Sequence, residues 1–228
     1  MIRKPRVSRE TQEHAEEIIQ TLSRKHEANT RDRMISFKGL RLLVKPSVFS
    51  PDLVKSTRII SAHLGVKKGS SVLDLGTGCG VLAILAARKA KKVTAADINE
   101  NAVKSAIENV KIHGLRDKVR VIHSDLFQKI KGKFHTIIFN PPFYFSEPTN
   151  DFERSIMDKN YQTLALFLNH AKDHLLPGGK IVTLFSNAGD LKFIMGLIKK
   201  HAYKAKEVHC RKKGESVVSV YHLFPKLS

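Results

Sequence analysis

Cysteine, tryptophan and long apolar runs are the scarcest features of this 228-residue sequence. Tryptophan is absent, and the two cysteines, Cys79 and Cys210, show no CxxC or Cys/His spacing, which excludes a disulfide framework and a structural zinc site. The longest uninterrupted apolar run, Val81–Ala87, is far shorter than the roughly 20 residues that cross a bilayer, so a membrane helix is excluded. The eleven histidines form no HExxH motif, and no metal site is predicted.

Acidic residues are also scarce, because 21 aspartates and glutamates face 40 lysines and arginines and leave a net charge of +19. Both ends of the chain are denser in positive charge than the middle. Such a surplus attracts polyanions and favours RNA, DNA or a ribosomal particle as partner or substrate carrier; a basic surface kept for solubility is the alternative. The first candidates for phosphate contacts are Lys199, Lys200, Lys212 and Lys213.

The N-terminal segment lacks the features of a targeting signal. Met1–Arg9 is basic, but it contains no apolar stretch and is soon followed by four glutamates. We therefore expect neither a secretory nor a transit signal, and we expect a cytoplasmic protein.

The first third of the chain predicts two helices and a hairpin. Apolar residues at helical spacing, with Ser8 as a cap, predict an amphipathic helix over residues 8–28. Met34–Phe37 and Leu40–Val44 read as the arms of a short hairpin. Ser50 followed by proline predicts the start of a helix that continues to about Leu64.

From residue 70 onward, short β-rich runs alternate with longer helical stretches. This alternation predicts parallel βαβ units and a sheet covered by helices on both faces. The connection between the last two runs is too short for a parallel crossover, so they should pair as an antiparallel hairpin. The expected fold is therefore a Rossmann-like, doubly wound, seven-stranded and mostly parallel α/β sheet that ends in a hairpin. Its runs are Ser71–Leu75, Lys92–Ala96, Val119–His123, Thr136–Phe139, Lys180–Phe185, Lys204–His209 and Ser216–Phe224.

The first of these strands ends in a glycine-rich turn, Asp74-Leu-Gly-Thr-Gly-Cys-Gly80, just before a helical stretch. Glycines at such a turn let the backbone approach a ligand closely, and the helix start offers free N–H groups. Val81 replaces the third glycine of the dinucleotide fingerprint, which disfavours NAD. Asp74 suits a cationic ligand better than a pyrophosphate. Cys79 is interpreted as a packing residue.

Acidic residues follow the next two strands as well. Asp97 can accept hydrogen bonds from both hydroxyls of a ribose. Asp125 can accept from an adenine amino group while Leu126 or Phe127 covers the ring. A single acid at a strand end would more often be a helix cap, but three in succession at the ligand-binding edge indicate a cofactor site. The predicted cofactor residues are Asp74, Gly76, Thr77, Gly78, Gly80, Asp97, Ile98, Asp125 and Leu126.

The fourth strand ends in Asn140-Pro141-Pro142-Phe143, the most specific signal in the chain. The two prolines fix φ and remove two N–H donors, so the loop presents acceptors with little mobility. The Asn140 carboxamide and the Pro141 carbonyl can both accept from one planar amino group while Phe143 stacks on its face. These four residues, Asn140, Pro141, Pro142 and Phe143, are the predicted catalytic residues, and they suit a nitrogen nucleophile.

With these motifs, residues 70–225 resemble a class I S-adenosylmethionine-dependent methyltransferase of the group that carries an Asn-Pro-Pro-aromatic motif. The resemblance implies that the glycine loop surrounds the methionine part of the cofactor, Asp97 the ribose and Asp125 the adenine, and that the Asn140 loop holds the methylated amine or amide. Members of the group act on glutamine in release factors, on RNA amino groups and on DNA adenine. Val48–Pro51 and Gly214–Val218 resemble segments of the glutamine methyltransferases, whereas Phe143 is the aromatic of the ribosomal RNA guanine methyltransferases.

The sequence therefore predicts N-methylation of a planar nitrogen on a large translation-related substrate, either RNA or a ribosome-associated protein such as a release factor. Residues 1–50 are expected to form a helix-and-hairpin extension for substrate recognition, and residues 51–228 the methyltransferase domain. The alternatives are a DNA adenine methyltransferase, a non-catalytic nucleic-acid-binding protein with a vestigial cofactor site, and a nicotinamide-dependent oxidoreductase.

Overall fold

The computed structural model describes residue 5 and residues 7–27 and 30–226. The predicted domain limits at residues 1 and 228 and the predicted helix end at residue 28 lie outside the described residues. Within them the elements follow in this order: α1 (Arg9–Glu27), β1 (Arg33–Phe37), β2 (Leu40–Val44), α2 (Ser56–Ala62), β3 (Ser71–Leu75), α3 (Val81–Ala87), β4 (Lys92–Asp97), α4 (Glu100–Ile112), β5 (Val119–His123), β6 (Phe134–Phe139), α5 (Asp151–Arg154), α6 (Gln162–His170), β7 (Leu175–Ser186), α7 (Leu191–Lys200), β8 (Tyr203–Lys213) and β9 (Ser216–Pro225).

Seven of the strands form one sheet in the order β5-β4-β3-β6-β7-β9-β8. The first five strands in this order run parallel, whereas β9 pairs antiparallel with both β7 and β8. The prediction of a doubly wound, mostly parallel sheet ending in a hairpin is confirmed. Because β3, β4, β5 and β6 run in the same direction, the segments that follow them all emerge at one edge of the sheet.

The apolar core lies on both faces of this sheet. Successive residues of a strand point to opposite faces, and in β3 Val72 belongs to one buried cluster while Leu73 belongs to another. The first cluster is completed by β1, β2, α2 and α3, and the second by α6 and α7. Both faces are therefore covered, as the hydrophobic strands require.

The β1–β2 hairpin is tied to the sheet domain through α4. The carboxamide of Asn109 in α4 accepts from the Leu43 amide at 2.6 Å and donates to the Leu43 carbonyl at 2.8 Å. The same amide group donates to the Cys79 carbonyl at 2.8 Å, so one buried side chain joins the hairpin to the glycine loop. This hairpin packs into the sheet's own core, and its predicted role in substrate recognition stays a prediction.

Helix α1 packs elsewhere, on the segment that follows β6. Its apolar side chains Ala15, Ile19 and Leu22 share a third buried cluster with Tyr144, Phe152, Ile156 and Met157. The helix therefore lies beside the Asn140 loop. None of the described helices combines the length and the apolar character that crossing a membrane requires.

One predicted helix is wrong. The Ser50-Pro51 signal does not begin a helix to Leu64; residues 51–53 form a turn, and α2 begins at Ser56. The Ser50 hydroxyl donates to Asp52 and accepts from the Arg33 guanidinium at 2.9 Å, so it is not available as a helix cap. A contact 17 residues away in sequence overrides the local signal.

Several strands are longer than predicted. β7 begins at Leu175, five residues before the predicted Lys180, and β8 continues to Lys213 through residues that were predicted to form the turn. The hairpin therefore turns at Gly214 and Glu215, and Gly214 takes the positive φ of 57° that this turn needs.

Candidate active site

The loop between β3 and α3 is built from glycines in the left-handed region. The φ angles of Gly76, Gly78 and Gly80 are 66°, 56° and 84°, which side-chain-bearing residues rarely adopt. Gly76, Thr77 and Gly78 line a large cavity at the carboxyl edge of the sheet. Gly80 instead packs closely against α4, since a Cβ built on Gly80 would lie 3.2 Å from the Cα of Ala106.

Asp74 is buried beneath this loop and is hydrogen-bonded to it. Its carboxylate accepts from the Thr77 hydroxyl at 2.6 Å, and only 1% of its surface is exposed. Burial raises the pKa of Asp74 to about 7, against the lowering effect of the Thr77 and Ala83 hydrogen bonds. Asp74 and Gly80 do not line the cavity, so their assignment to the cofactor site stays a prediction.

Asp97, at the end of β4, connects the glycine loop to the next turn. One carboxylate oxygen accepts from the Gly78 amide at 2.8 Å, and the other accepts from the Asn99 amide at 2.9 Å. Burial raises the pKa of this carboxyl, and the backbone donors and His123 lower it. Each oxygen can accept a further hydrogen bond, and Asp97 lines the cavity.

The predicted adenine-binding residues lie at the same edge of the sheet. Asp125 and Leu126 follow β5, line the cavity and stand beside an exposed Ile98, whose side chain is 49% exposed. Leu126 adopts a positive φ of 41°, a costly conformation for a residue with a side chain. Phe127, the alternative ring cover, instead packs in the core with its ring 5.6 Å from that of Phe167.

Backbone hydrogen bonds tie the end of the Asn140–Phe143 loop to the segment after α5. The amides of Phe143 and Tyr144 both donate to the Ile156 carbonyl, at 3.1 and 3.0 Å. Gly189 supports the loop from the other side, since a Cβ there would lie 2.7 Å from the Phe143 carbonyl oxygen. All four predicted catalytic residues, Asn140, Pro141, Pro142 and Phe143, line the same cavity as the glycine loop.

Asn140 carries an unmatched acceptor. Within the described part of the chain, its Oδ1 atom is buried and has no hydrogen-bond partner. Leaving a buried carbonyl without a donor costs about 1 to 3 kcal/mol, so such an atom calls for an explanation. Because Asn140 lines the cavity, an amino group of a bound molecule would supply the missing donor.

Cys79 is not a nucleophile. Its side chain is 1% exposed, and burial raises the pKa of its thiol to about 12. A thiol with this pKa stays protonated at neutral pH, and the thiolate is the reactive form. The interpretation of Cys79 as a packing residue agrees with this environment.

Helix α1 supplies a wall of the cavity that sequence reasoning missed. Glu10, Glu13 and Glu17 line the cavity from the helix, and the exposed acids Glu147, in the loop after the catalytic motif, and Asp151, at the start of α5, line it from the other side. The spacing of the helical acids places them on one side of α1, and this pattern was the available signal. Nine acidic and four basic side chains line the cavity in all, so its lining is net negative in a chain of net charge +19, although Glu13, Glu147 and Asp151 each pair with a cation.

The cavity as a whole has a volume of about 1160 Å³. It joins the glycine loop, the acids after β4 and β5, the Asn140 loop and the face of α1 in one space. This volume is large enough for a nucleoside-sized cofactor and a second group beside it.

Comparison with known proteins identifies the family. The profile of the methyltransferase small domain family matches residues 39–218. The chain belongs to this family. A protein of Methanocaldococcus jannaschii, provisionally named a protein N5-glutamine methyltransferase, is 30% identical over 190 residues, which cover 79% of this chain and 92% of that protein.

Further relatives share only the methyltransferase part. The ribosomal RNA small subunit methyltransferase C of Aeromonas hydrophila is 35% identical over 152 residues, which cover 65% of this chain and 40% of that protein. The crystal structure of M. jannaschii Trm5 in complex with adenosine has a TM-score of 0.63 at 23% identity and covers 88% of this chain and 58% of that chain. The last match shows the shared fold.

The comparisons confirm several predictions. The family membership confirms the resemblance to class I S-adenosylmethionine-dependent methyltransferases, and with it the enzyme class and the Rossmann-like fold. Use of S-adenosylmethionine follows at the level of the family. The role of each site residue stays a prediction.

Proposed function

We propose that this methyltransferase modifies the side-chain amide nitrogen of a glutamine in a protein of the translation machinery, with a release factor as the expected substrate. The observation that carries the proposal is the buried, unpartnered Oδ1 atom of Asn140 on the cavity wall. A primary carboxamide supplies the N–H that this atom lacks. The relative that matches over 92% of its own length is named for the same chemistry.

The cavity contains groups that fit S-adenosylmethionine. Asp97 has acceptor capacity left for the ribose hydroxyls, Asp125 is placed for the adenine amino group, and Gly76 and Gly78 leave room for the methionine part. When bound, this cofactor supplies an electrophilic methyl group on a positively charged sulfonium.

The chain's own residues orient the acceptor nitrogen. Asn140 Oδ1 accepts one amide proton, the Pro141 carbonyl accepts the second, and Phe143 stacks on the planar amide. Held by its protons, the nitrogen directs its lone pair toward the methyl group, and such alignment can supply roughly 7 to 11 kcal/mol of the barrier. The extra proton of the product leaves to solvent through the mouth of the cavity.

The charge at the cavity mouth favours a polypeptide over a nucleic acid at this site. Of the five carboxylates on α1 and on the segment after the catalytic motif, Glu13, Glu147 and Asp151 pair with cations, whereas Glu10 and Glu17 have no ion pair among the described residues. The lining as a whole is net negative and would repel a phosphate backbone beside the acceptor. A segment that carries lysine or arginine next to the modified glutamine would be attracted instead.

Methylation of a guanine amino group in ribosomal RNA is the second candidate. The 35% identity to a ribosomal RNA methyltransferase favours it, and so does Phe143, the aromatic of the RNA enzymes that this motif resembles. An exocyclic amine offers the same two protons to Asn140 and Pro141.

The test is methyl transfer from methyl-labelled S-adenosylmethionine to two purified substrates, a release factor of the same organism and deproteinised small-subunit ribosomal RNA. We expect label in the release factor, located on a glutamine by tandem mass spectrometry, and no label with the Asn140→Ala enzyme. Label in the RNA alone would overturn the glutamine assignment in favour of the second candidate.

A further inference from the structure

The edge of the sheet opposite the cavity is lined by positive charge. Four loops lead directly into the parallel strands β3, β4, β5 and β6, so all four lie at the amino-terminal edge of the sheet. We call the cations among the four residues before each of these strands, together with Lys92 at the start of β4, the basic rim. The rim consists of Lys67, Lys68, Arg88, Lys89, Lys91, Lys92, Arg116, Lys118, Lys131 and Lys133, all of them exposed.

The rim is continuous across the sheet. The Gly69 amide donates to the Lys89 carbonyl at 3.0 Å, which joins the loops before β3 and β4. The Val93 amide donates to the Lys118 carbonyl at 2.8 Å, which joins the loops before β4 and β5. The loop before β6 is adjacent because β6 pairs with β3 on its other side. The cations therefore form one row on a rigid edge.

The charge of this row is not neutralised by the protein. Asp117 is the one acidic residue among the four residues that directly precede each of these strands, and Asp125, earlier in the loop before β6, lies at the opposite edge beside the cavity. Across the described residues, no rim cation lies within 4.0 Å of a carboxylate in an ion pair, although six other ion pairs are present. The hydrogen bonds of the Lys92 and Lys118 ammonium groups go to backbone carbonyls, at 3.5 Å each, and not to carboxylates.

The rim lacks the apolar residues that a membrane surface would require. The exposed large hydrophobic residues of the described chain are Met34, Ile98, Ile107, Ile112 and Leu166, and all of them lie outside the rim loops. Proteins that bind lipid surfaces bury apolar side chains between the headgroups in addition to their charge contacts. A nucleic acid, which presents negative charge but no apolar interior, therefore fits the rim better than a lipid bilayer does.

We propose that the basic rim binds the phosphodiester backbone of RNA, at a site separate from the methyl-transfer cavity. The strands between them are five or six residues long, so the two sites are separated by about 16 to 20 Å. The choice of RNA over DNA rests on the proposed function in translation, whereas the phosphate-binding character of the rim does not depend on it. The protein would thereby hold its acceptor site close to an RNA-rich particle while the acidic mouth stays free for a polypeptide.

The dimensions of the rim match those of a nucleic acid. Four neighbouring strands span about 14 Å across the sheet, and a DNA duplex carries about eight charges over that length of its axis. Ten cations on this edge can therefore contact several phosphates at once. Each phosphate contact releases bound counterions, so binding through the rim must weaken steeply as salt rises.

The test compares two triple variants of the full chain that carry the same change in net charge. The rim variant is Lys67→Glu/Lys89→Glu/Lys91→Glu. The control variant is Lys25→Glu/Lys192→Glu/Lys206→Glu, three exposed lysines outside the four loops and outside the phosphate-contact candidates of the sequence analysis. Binding of a fluorescein-labelled RNA duplex is measured by anisotropy from 50 to 200 mM KCl, with a DNA duplex of the same sequence and phosphatidylserine vesicles as parallel probes.

We expect the rim variant to bind the RNA duplex at least about tenfold more weakly than the wild type, with a salt slope shallower by about 3, and the control variant to lose less than threefold. Equal losses in the two variants would overturn the proposal, because net charge alone would then explain binding. Binding to the vesicles or to DNA with none to RNA would also overturn it. Methyl transfer to the release factor separates the two hypotheses: if it is absent while the RNA result holds, the proposed function fails and the rim assignment stands.

Discussion

At the scale of single residues, the sequence predicted where the chemistry lies better than what each residue does there. The glycine turn, Asp97, Asp125 and the Asn140 loop all reach one cavity, because residues that follow parallel strands must share an edge. Asp74 belongs to the same motif, yet its side chain lies beneath the loop and accepts from Thr77. A motif fixes the position of a residue in the chain but not the direction of its side chain, which depends on packing.

The buried Asp74 should make the protein less stable as the pH rises. Its pKa is about 7 in the folded chain and 3.8 for an ordinary aspartate, so from about pH 4 to pH 7 the unfolded state has lost a proton that the folded state keeps. Stability therefore falls over this window, by up to about 4 kcal/mol from this group, and the loss is complete above pH 7.

Asp74→Asn removes this titration and keeps the hydrogen bond, because the Thr77 hydroxyl can turn to accept from the amide. We expect the melting temperature of the variant relative to the wild type to rise between pH 4.5 and about pH 7 and to level off above pH 7, as measured by differential scanning calorimetry. Asp117→Asn, at an exposed acid, is the control for the loss of one carboxylate. Parallel curves for Asp74→Asn and the wild type would contradict the account.

At the scale of elements, the regular strands were predictable and the irregular connections were not. β3 and β5 begin and end at the predicted residues, because short β-branched runs bounded by turns specify them locally. The helix predicted from Ser50 fails because Arg33 and Asp52 engage its hydroxyl. Helix α1 was predicted, but its place beside the catalytic loop follows from tertiary packing with Phe152 and Met157, which no local pattern reveals.

The acidic face of α1 should govern affinity for the substrate and leave the chemical step unchanged. Glu17 lines the cavity and its neighbour Glu16 does not, so the pair forms a matched comparison on one helix. We expect Glu17→Lys to raise KM for a lysine-containing glutamine peptide about fivefold, with kcat unchanged, because an exposed charge contact is worth about 1 kcal/mol or less. KM and kcat are measured by steady-state kinetics for Glu17→Lys and for the control Glu16→Lys. Equal KM values for the two variants would exclude a role of the acidic face of α1 in substrate binding.

At the scale of the whole molecule, the charge is separated between two ends of the sheet. The density of cations near the chain termini predicts Lys199, Lys200, Lys212 and Lys213 as phosphate contacts, and this stays a prediction. The rim was missed because its residues come from four separate loops and meet only when the parallel strands align. The acidic residues of α1 and the basic residues of the loops lie at opposite edges of the sheet, which is the arrangement that the two proposals require.

The account rests on one claim, that Asn140 holds the acceptor nitrogen by a proton while other residues hold the cofactor. The direct test is Asn140→Ala, with turnover measured by transfer of labelled methyl to the release factor and S-adenosylmethionine affinity measured by calorimetry on the same preparation. Removing one positioned polar group of this kind costs about 100-fold or more in kcat, and we expect that loss with a change in cofactor Kd of less than about threefold. A variant that keeps its turnover, or that loses cofactor binding and turnover together, would contradict the account.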